Sequence, residues 1–242
     1  MTPARNGNVK LLATLVDIND VDESEYRFLV DEKHVKYVTV DPGVLPKDDR
    51  TFAPILIPTL PPFPTGDWNE GHISKDPLSG HLVFSRYARS DLPGVSNTWH
   101  RTRIDHLELK KLHRIRQNIH VAETTAYEWI DGQGVGPRFL GHLIEEGRVI
   151  GFVMEYMAGA RSADSNDLPA CQEILAKLHS LGIKHGDINK YNFLVREGKA
   201  TLVDFETAQR CSDKKELEAE YEDLEHSLGD TSTRGRAGHV SE

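Results

Sequence analysis

The chain has only two cysteines, Cys171 and Cys211, and no metal-ligand spacing surrounds either. That excludes a disulfide framework or a cysteine-based zinc site as the basis of the fold, and both thiols are read as reduced core or surface groups. No apolar run approaches the ~18 residues that a membrane-spanning helix needs. Met1 to Lys10 has no apolar stretch of signal-peptide length, so the expectation is an intracellular, cytoplasmic or nuclear protein with no membrane partner. Basic residues are not in excess either. The net charge of −9 argues against nucleic acid as a partner, because phosphate binding needs a basic surface. It leaves room for a local basic pocket. No internal repeat is present. What remains is a chain of 242 residues, 38% hydrophobic and 28% charged, proportions that suit one large or two small folded domains.

The first ~100 residues differ in texture from the rest. Leu11–Ile18, Tyr26–Val30 and the alternating Val35–Val40 read as strands. The proline-rich stretch Pro54–Pro64 reads as an extended connector packed on a surface, since its prolines disfavour helix. Lys75–Gly80 reads as a turn before a strand at Leu82–Phe84, and Trp68 and Trp99 as anchors of small cores. Beyond Ile104 the pattern changes. Ala122–Ile130 reads as a helix broken by Gly132–Pro137. Arg138–Leu143 and Arg148–Met154 read as strands joined at Glu145–Gly147. Ile174, Leu175, Leu178 and Leu181 have helical spacing, and Gly182 is a natural stop. Phe193–Val195 and Thr201–Val203 read as a hairpin. Leu217, Tyr221, Leu224 and Leu228 mark one face of a solvated acidic helix that caps the domain or binds a partner, and Gly229–Glu242 reads as a disordered end.

The chemistry concentrates in His185-Gly186-Asp187-Ile188-Asn189-Lys190-Tyr191-Asn192 and Asp204-Phe205-Glu206. Phosphoryl transfer needs a carboxylate to accept or orient the acceptor hydroxyl's proton, and hard oxygen ligands to hold Mg²⁺. Asp187, in a loop between helix and strand, fits the first role. Asn192 and Asp204 fit the second. The base Asp stands two residues after a His and the Asn five after that Asp, which is kinase spacing. The gap to Asp204 holds one β-hairpin, which returns Asp204 beside Asn192. His185 reads as structural, its ring bonded to backbone near Asp204.

The stretch from Glu123 to Arg210 resembles the protein-kinase-like superfamily. The resemblance implies an α+β, two-lobe fold with a reduced β N-lobe, a shortened helical C-lobe and a β/loop-rich N-terminal extension. It divides the chain into 1–103 (extension), 104–157 (N-lobe and hinge), 158–212 (C-lobe core) and 213–242 (acidic helix and tail). It implies ATP and Mg as cofactors. Glu123 takes the place of the helix glutamate that pairs with the nucleotide lysine, and the backbones of Glu155 and Met157 take the place of the adenine-binding hinge. Gly66-Asp67-Trp68-Asn69, Gly71-His72, Lys75-Asp76-Pro77, Ile104-Asp105-His106-Leu107 and Gly136-Pro137-Arg138-Phe139-Leu140-Gly141-His142 further resemble small fungal kinase-like proteins of unknown substrate.

Four features depart from the pattern. No glycine-rich loop precedes Glu123. The nucleotide lysine is hard to place: Lys111, with Lys110, offers a substitute. Arg114–Ile119 reads as the first lobe strand, but His120-Val121-Ala122 runs straight into Glu123, as if two strands were deleted. Gly186 stands where many kinases carry Arg, which argues against activation by loop phosphorylation. Glu206 stands where a flexible Gly is usual, which is closer to small-molecule kinases. The short stretch after Asp204 leaves no room for peptide-docking helices. Two readings follow. One is a phosphotransferase acting on a protein Ser/Thr or small-molecule alcohol. The other is a pseudokinase, or a nucleotide-binding interaction module lacking the nucleotide lysine. Either leaves a protein-partner surface at the N-terminal extension or the acidic C-terminal helix.

Overall fold

The computed structural model describes residues 5–109 and 121–230. They form two compact units, one ending at Pro93 and the other beginning at Gly94.

The first unit is a mixed five-stranded sheet. Strands β1 (Val9–Leu15), β2 (Ser24–Val30) and β3 (His34–Val40) form an antiparallel meander. Helix α1 (Ala53–Thr59) then crosses over to β4 (Glu70–Lys75), which runs parallel to β3, and β5 (Leu82–Ala88) returns antiparallel. Alternation explains the layering. Tyr26, Phe28, Val38 and Val40 fall on one face and bury against Leu56, Leu60, Trp68 and Ile73. Gly71 is required where it stands, because a Cβ there would lie 2.9 Å from the Trp68 ring.

The proline-rich connector is not wholly extended, as the sequence suggested: its first part is α1. Pro54 sits in the first turn, where its missing N–H would have had no helical partner, and Pro58 lies in the last turn, where it forfeits one bond at most. Leu56 and Leu60, four residues apart, bury completely and repay that loss. Asn6 donates to the carbonyls of Ile57, Leu60 and Pro61 and closes the helix end.

The second unit opens with a three-stranded sheet. In it β6 (Arg103–Asp105) runs parallel to β7 (Phe139–Glu145), and β7 pairs antiparallel with β8 (Arg148–Met154). Helix α2 (Val121–Ile130) precedes β7. Tyr127 and Ile130 from α2, Phe139 and Phe152 from the sheet, and Trp99 share one core. After β8 come β9 (Arg161–Ser162), α3 (Leu168–Ser180), β10 (Ile183–Lys184), the hairpin β11 (Phe193–Arg196) and β12 (Lys199–Leu202), β13 (Gln209–Arg210) and α4 (Lys214–Gly229). Cys171, Ile174, Leu175 and Leu178 form the buried stripe of α3. Burial pushes the Cys171 thiol up to about 12, so it is an inert core group, and both cysteines are free.

Gly229 closes α4 instead of opening a disordered tail. Lys110, Lys111, the strand expected over 114–119, and residues 231–242 lie outside the described residues. Among the described residues, no helix is long and apolar enough to cross a membrane.

Candidate active site

Helix α3 stops at Gly182, whose φ of +68° is the left-handed turn that glycine takes without strain. The chain then pairs briefly as β10 with β13 and enters the loop at His185. The His185 ring is fully buried, packs against the tilted Phe205 ring at 5.1 Å and shares a 3.1 Å bond between Nε2 and the Val203 carbonyl oxygen. That bond places the proton on Nε2 and leaves Nδ1 to accept the Asp187 N–H. Burial depresses the His185 pKa, so the ring stays neutral and keeps this tautomer. Thr207 Oγ1 donates to the His185 carbonyl at 2.9 Å. The loop carrying Asp187 and the loop carrying Asp204 are therefore fastened together on both sides of one histidine.

Asp187 is half-buried, and two amides hold it. Asn189 Nδ2 donates to its Oδ2 at 2.9 Å, and Asn192 Nδ2 donates to its backbone oxygen at 2.9 Å and to Oδ2 at 3.2 Å. With its amide nitrogen turned to Asp187, Asn192 keeps its amide oxygen as a hard ligand atom. The hairpin β11–β12 pairs Phe193 with Leu202, and the Val203 N–H donates to the Asn192 carbonyl at 3.0 Å. That register returns Asp204 beside Asn192. Asp204 itself adopts φ 64°, ψ 64°, an uncommon left-handed conformation for a non-glycine residue and one that recurs at functional sites.

Glu123 lies in the first turn of α2. Burial raises the pKa of Tyr127, one turn further on, and the negative charges of Glu123 and Asp204 raise it further, so both carboxylates act on one hydroxyl. Tyr127 Oη donates to Met154 Sδ at 3.3 Å, and its ring meets Phe205 edge-on at 5.3 Å. Glu155 and Met157 follow β8 directly. The Glu155 N–H donates to the Arg138 carbonyl and the Met157 carbonyl accepts from Ala160. Lys111 lies outside the described residues, so the structure gives it no place beside Glu123.

Gly186 has φ +84°, and a Cβ there would lie 2.8 Å from the Thr207 carbonyl oxygen. The loop therefore excludes any larger residue at this position, arginine included.

The largest departure from the sequence reading is α4. Its acidic face is solvated, but Glu220 is only 8% exposed and reaches the loop that carries Asp187. Its Oε1 accepts the Gly186 N–H at 2.6 Å, and its Oε2 accepts the His185 N–H at 3.1 Å and bonds His179 Nε2 at 2.7 Å. Burial alone would raise its pKa, but these bonds outweigh it and hold the carboxyl below the usual glutamate range. Lys184 pairs with Glu216 at 2.9 Å, and Lys190 Nζ donates to the Asp230 carbonyl at 2.6 Å. The helix thus brackets the loop at both ends. The signal was present in the sequence: Glu220 falls within the stripe set by Leu217, Tyr221, Leu224 and Leu228, where a charged side chain must find buried partners.

Residues 155–237 match the lipopolysaccharide kinase (Kdo/WaaP) family. Over 67 residues the chain is 37% identical to the KEOPS complex subunit Bud32 of Pyrococcus abyssi, a match covering 24% of this chain and 30% of that protein. This segment is protein-kinase-like. The family match runs from the residue after β8 through the loops of Asp187 and Asp204 and across α4, so the bracketing helix lies inside the matched segment. The chain spans about a third of the curated relative it matches. At family level these matches support a kinase-like phosphotransferase.

Proposed function

We propose that this protein is an ATP- and Mg²⁺-dependent phosphotransferase that moves the γ-phosphate to a hydroxyl. One observation carries the reading: the Asp187 carboxylate is held by two amides while the hairpin register sets Asn192 beside Asp204. The ligand chemistry fits. An amide oxygen and a carboxylate are hard oxygen donors of the kind Mg²⁺ takes, two from protein with water supplying the rest. Bound Mg·ATP would supply the transferable phosphoryl group and neutralise its charge.

In this reading Asp187 accepts the proton of the acceptor hydroxyl and aims its oxygen. Asn189 and Asn192 fix the carboxylate's rotamer, and His185 and Thr207 hold the spacing between the two loops. The Glu155 carbonyl and the Met157 N–H face the adenine edge, since the Glu155 N–H is spent on Arg138. Glu123 pairs with a nucleotide-contacting lysine, and Lys111 is the candidate. The chain passes from Ala208 to α4 through only β13 and a short link, which supports a small-molecule alcohol over a peptide Ser/Thr, because no segment there is long enough to form a peptide platform.

Thermal shift with Mg·ATP tests this. The expected result is a rise in Tm that Asp204→Ala abolishes. No rise at millimolar nucleotide would favour the pseudokinase reading, a kinase-shaped interaction module.

A further inference from the structure

The first unit carries a second cluster of ligand-type side chains, unrelated to the kinase-like loops. We propose that Glu23, Asp41 and His72 bind a divalent transition-metal ion of the Zn²⁺ class on the five-stranded sheet.

Register brings the three together. Thr39 of β3 pairs with His72 of β4 on one side and with Glu25 of β2 on the other. Asp41 lies two positions beyond Thr39, and Glu23 two before Glu25. The period of two therefore puts Glu23, Asp41 and His72 on the same face, the one turned away from the apolar core. One ligand atom from each lies within 4.8 Å of the others.

The imidazole makes this more than an acidic patch. His72 is 9% exposed, Thr39 Oγ1 sits 2.7 Å from its Nδ1, and Asp41 Oδ1 lies 3.0 Å from its Nε2. In the tautomer whose Nδ1–H donates to Thr39, the Nε2 lone pair and the Asp41 carboxylate face each other, and a cation between them would bind both. Metal-bound histidines are held this way, the far ring nitrogen donating to a fixed oxygen. Glu23 and Asp41 also oppose each other across adjacent strands, where like charges repel unless a cation joins them. One imidazole with two carboxylates suits Zn²⁺ and its neighbours, and three protein ligands leave positions open to water. His72 is strand-borne, Glu23 and Asp41 lie one residue beyond the ends of β2 and β3, and Glu23, 48% exposed with Oε1 4.0 Å from Nδ1, must swing toward Nε2 to close the set.

The test is calorimetric titration of the chelator-treated full chain with Zn²⁺, comparing wild type with Asp41→Asn, Glu23→Gln and His72→Gln. The expected result is a site in the wild type that each variant weakens at least ~10-fold and that Asp204→Ala leaves intact. Equal binding by wild type, Asp41→Asn and Glu23→Gln would overturn the proposal and leave a hydrogen-bonded strand histidine. Loss of binding in Asp204→Ala alone would overturn it as well. Should His72→Gln fail to fold, the two carboxylate variants decide, because their side chains are 39% and 48% exposed and tolerate substitution.

Discussion

Glu220 accepts the backbone N–H of Gly186 at 2.6 Å, across more than thirty residues of chain, and that bond sets the height of the Asp187 loop against helix α4. A buried carboxylate satisfying two loop amides and a histidine is a positioning device, since it touches neither Asp187 nor Asp204 directly.

Removing that carboxylate should loosen the loop. Glu220→Ala strands the His185 and Gly186 N–H groups and should cost at least ~2 kcal/mol of stability. Glu220→Gln keeps one acceptor oxygen and should fold, with a lower kcat and a nearly unchanged KM for ATP. Equal kcat in wild type and Glu220→Gln would remove Glu220 from the positioning role. The carboxyl's folded pKa lies below its ordinary value of 4.5, so its contribution is present above pH 4.5 and fades as pH falls through the lowered value. Acid melts of wild type and Glu220→Gln should converge at low pH.

Gly186→Ala tests the fit of the loop to Thr207. The left-handed backbone alone should cost about 1–2 kcal/mol, before any contact with the Thr207 carbonyl. Chemical denaturation should show a lowered midpoint. Stability equal to wild type would mean that the loop does not hold this conformation.

His142 sets a pH dependence at the sheet of the second unit. Its ring is buried and its Nε2 accepts the His100 N–H at 3.2 Å. Burial, with the charges of Arg103 and His100, pushes its pKa down to about 4. The unfolded chain then binds a proton near pH 6.5 that the folded chain refuses, so stability should fall as pH drops from about 6.5 towards 4. His142→Gln should flatten the slope of Tm against pH between 7 and 5, and an unchanged slope would assign the effect to another group.

Much of this was readable from the chain. The period-two runs of β2 and β3, the stripe of α3, and the hairpin between Asn192 and Asp204 follow from local patterning and turn residues, because each element's pattern matches its own packing. The two loops could be read for a different reason: spacing between Asp187, Asn192 and Asp204 is dictated by one hairpin. Three features were not read from local patterning alone. Helix α1 depends on where Pro54 and Pro58 fall within the turn, and on Leu56 and Leu60 finding a core that only the folded sheet provides. The role of Glu220 depends on tertiary contact with a loop far earlier in sequence, and the surrounding acids of α4 mask it. Tyr127, which joins Glu123, Phe205 and Met154, was hidden inside an ordinary helical stripe.

The central claim is that Asp187 serves phosphoryl transfer, and steady-state release of γ-phosphate from ATP with millimolar Mg²⁺ tests it most directly. The account predicts turnover by the wild-type chain that falls by about 10²–10⁴-fold in Asp187→Asn, with the Mg·ATP-induced rise in Tm retained. Turnover that survives Asp187→Asn unchanged would contradict it.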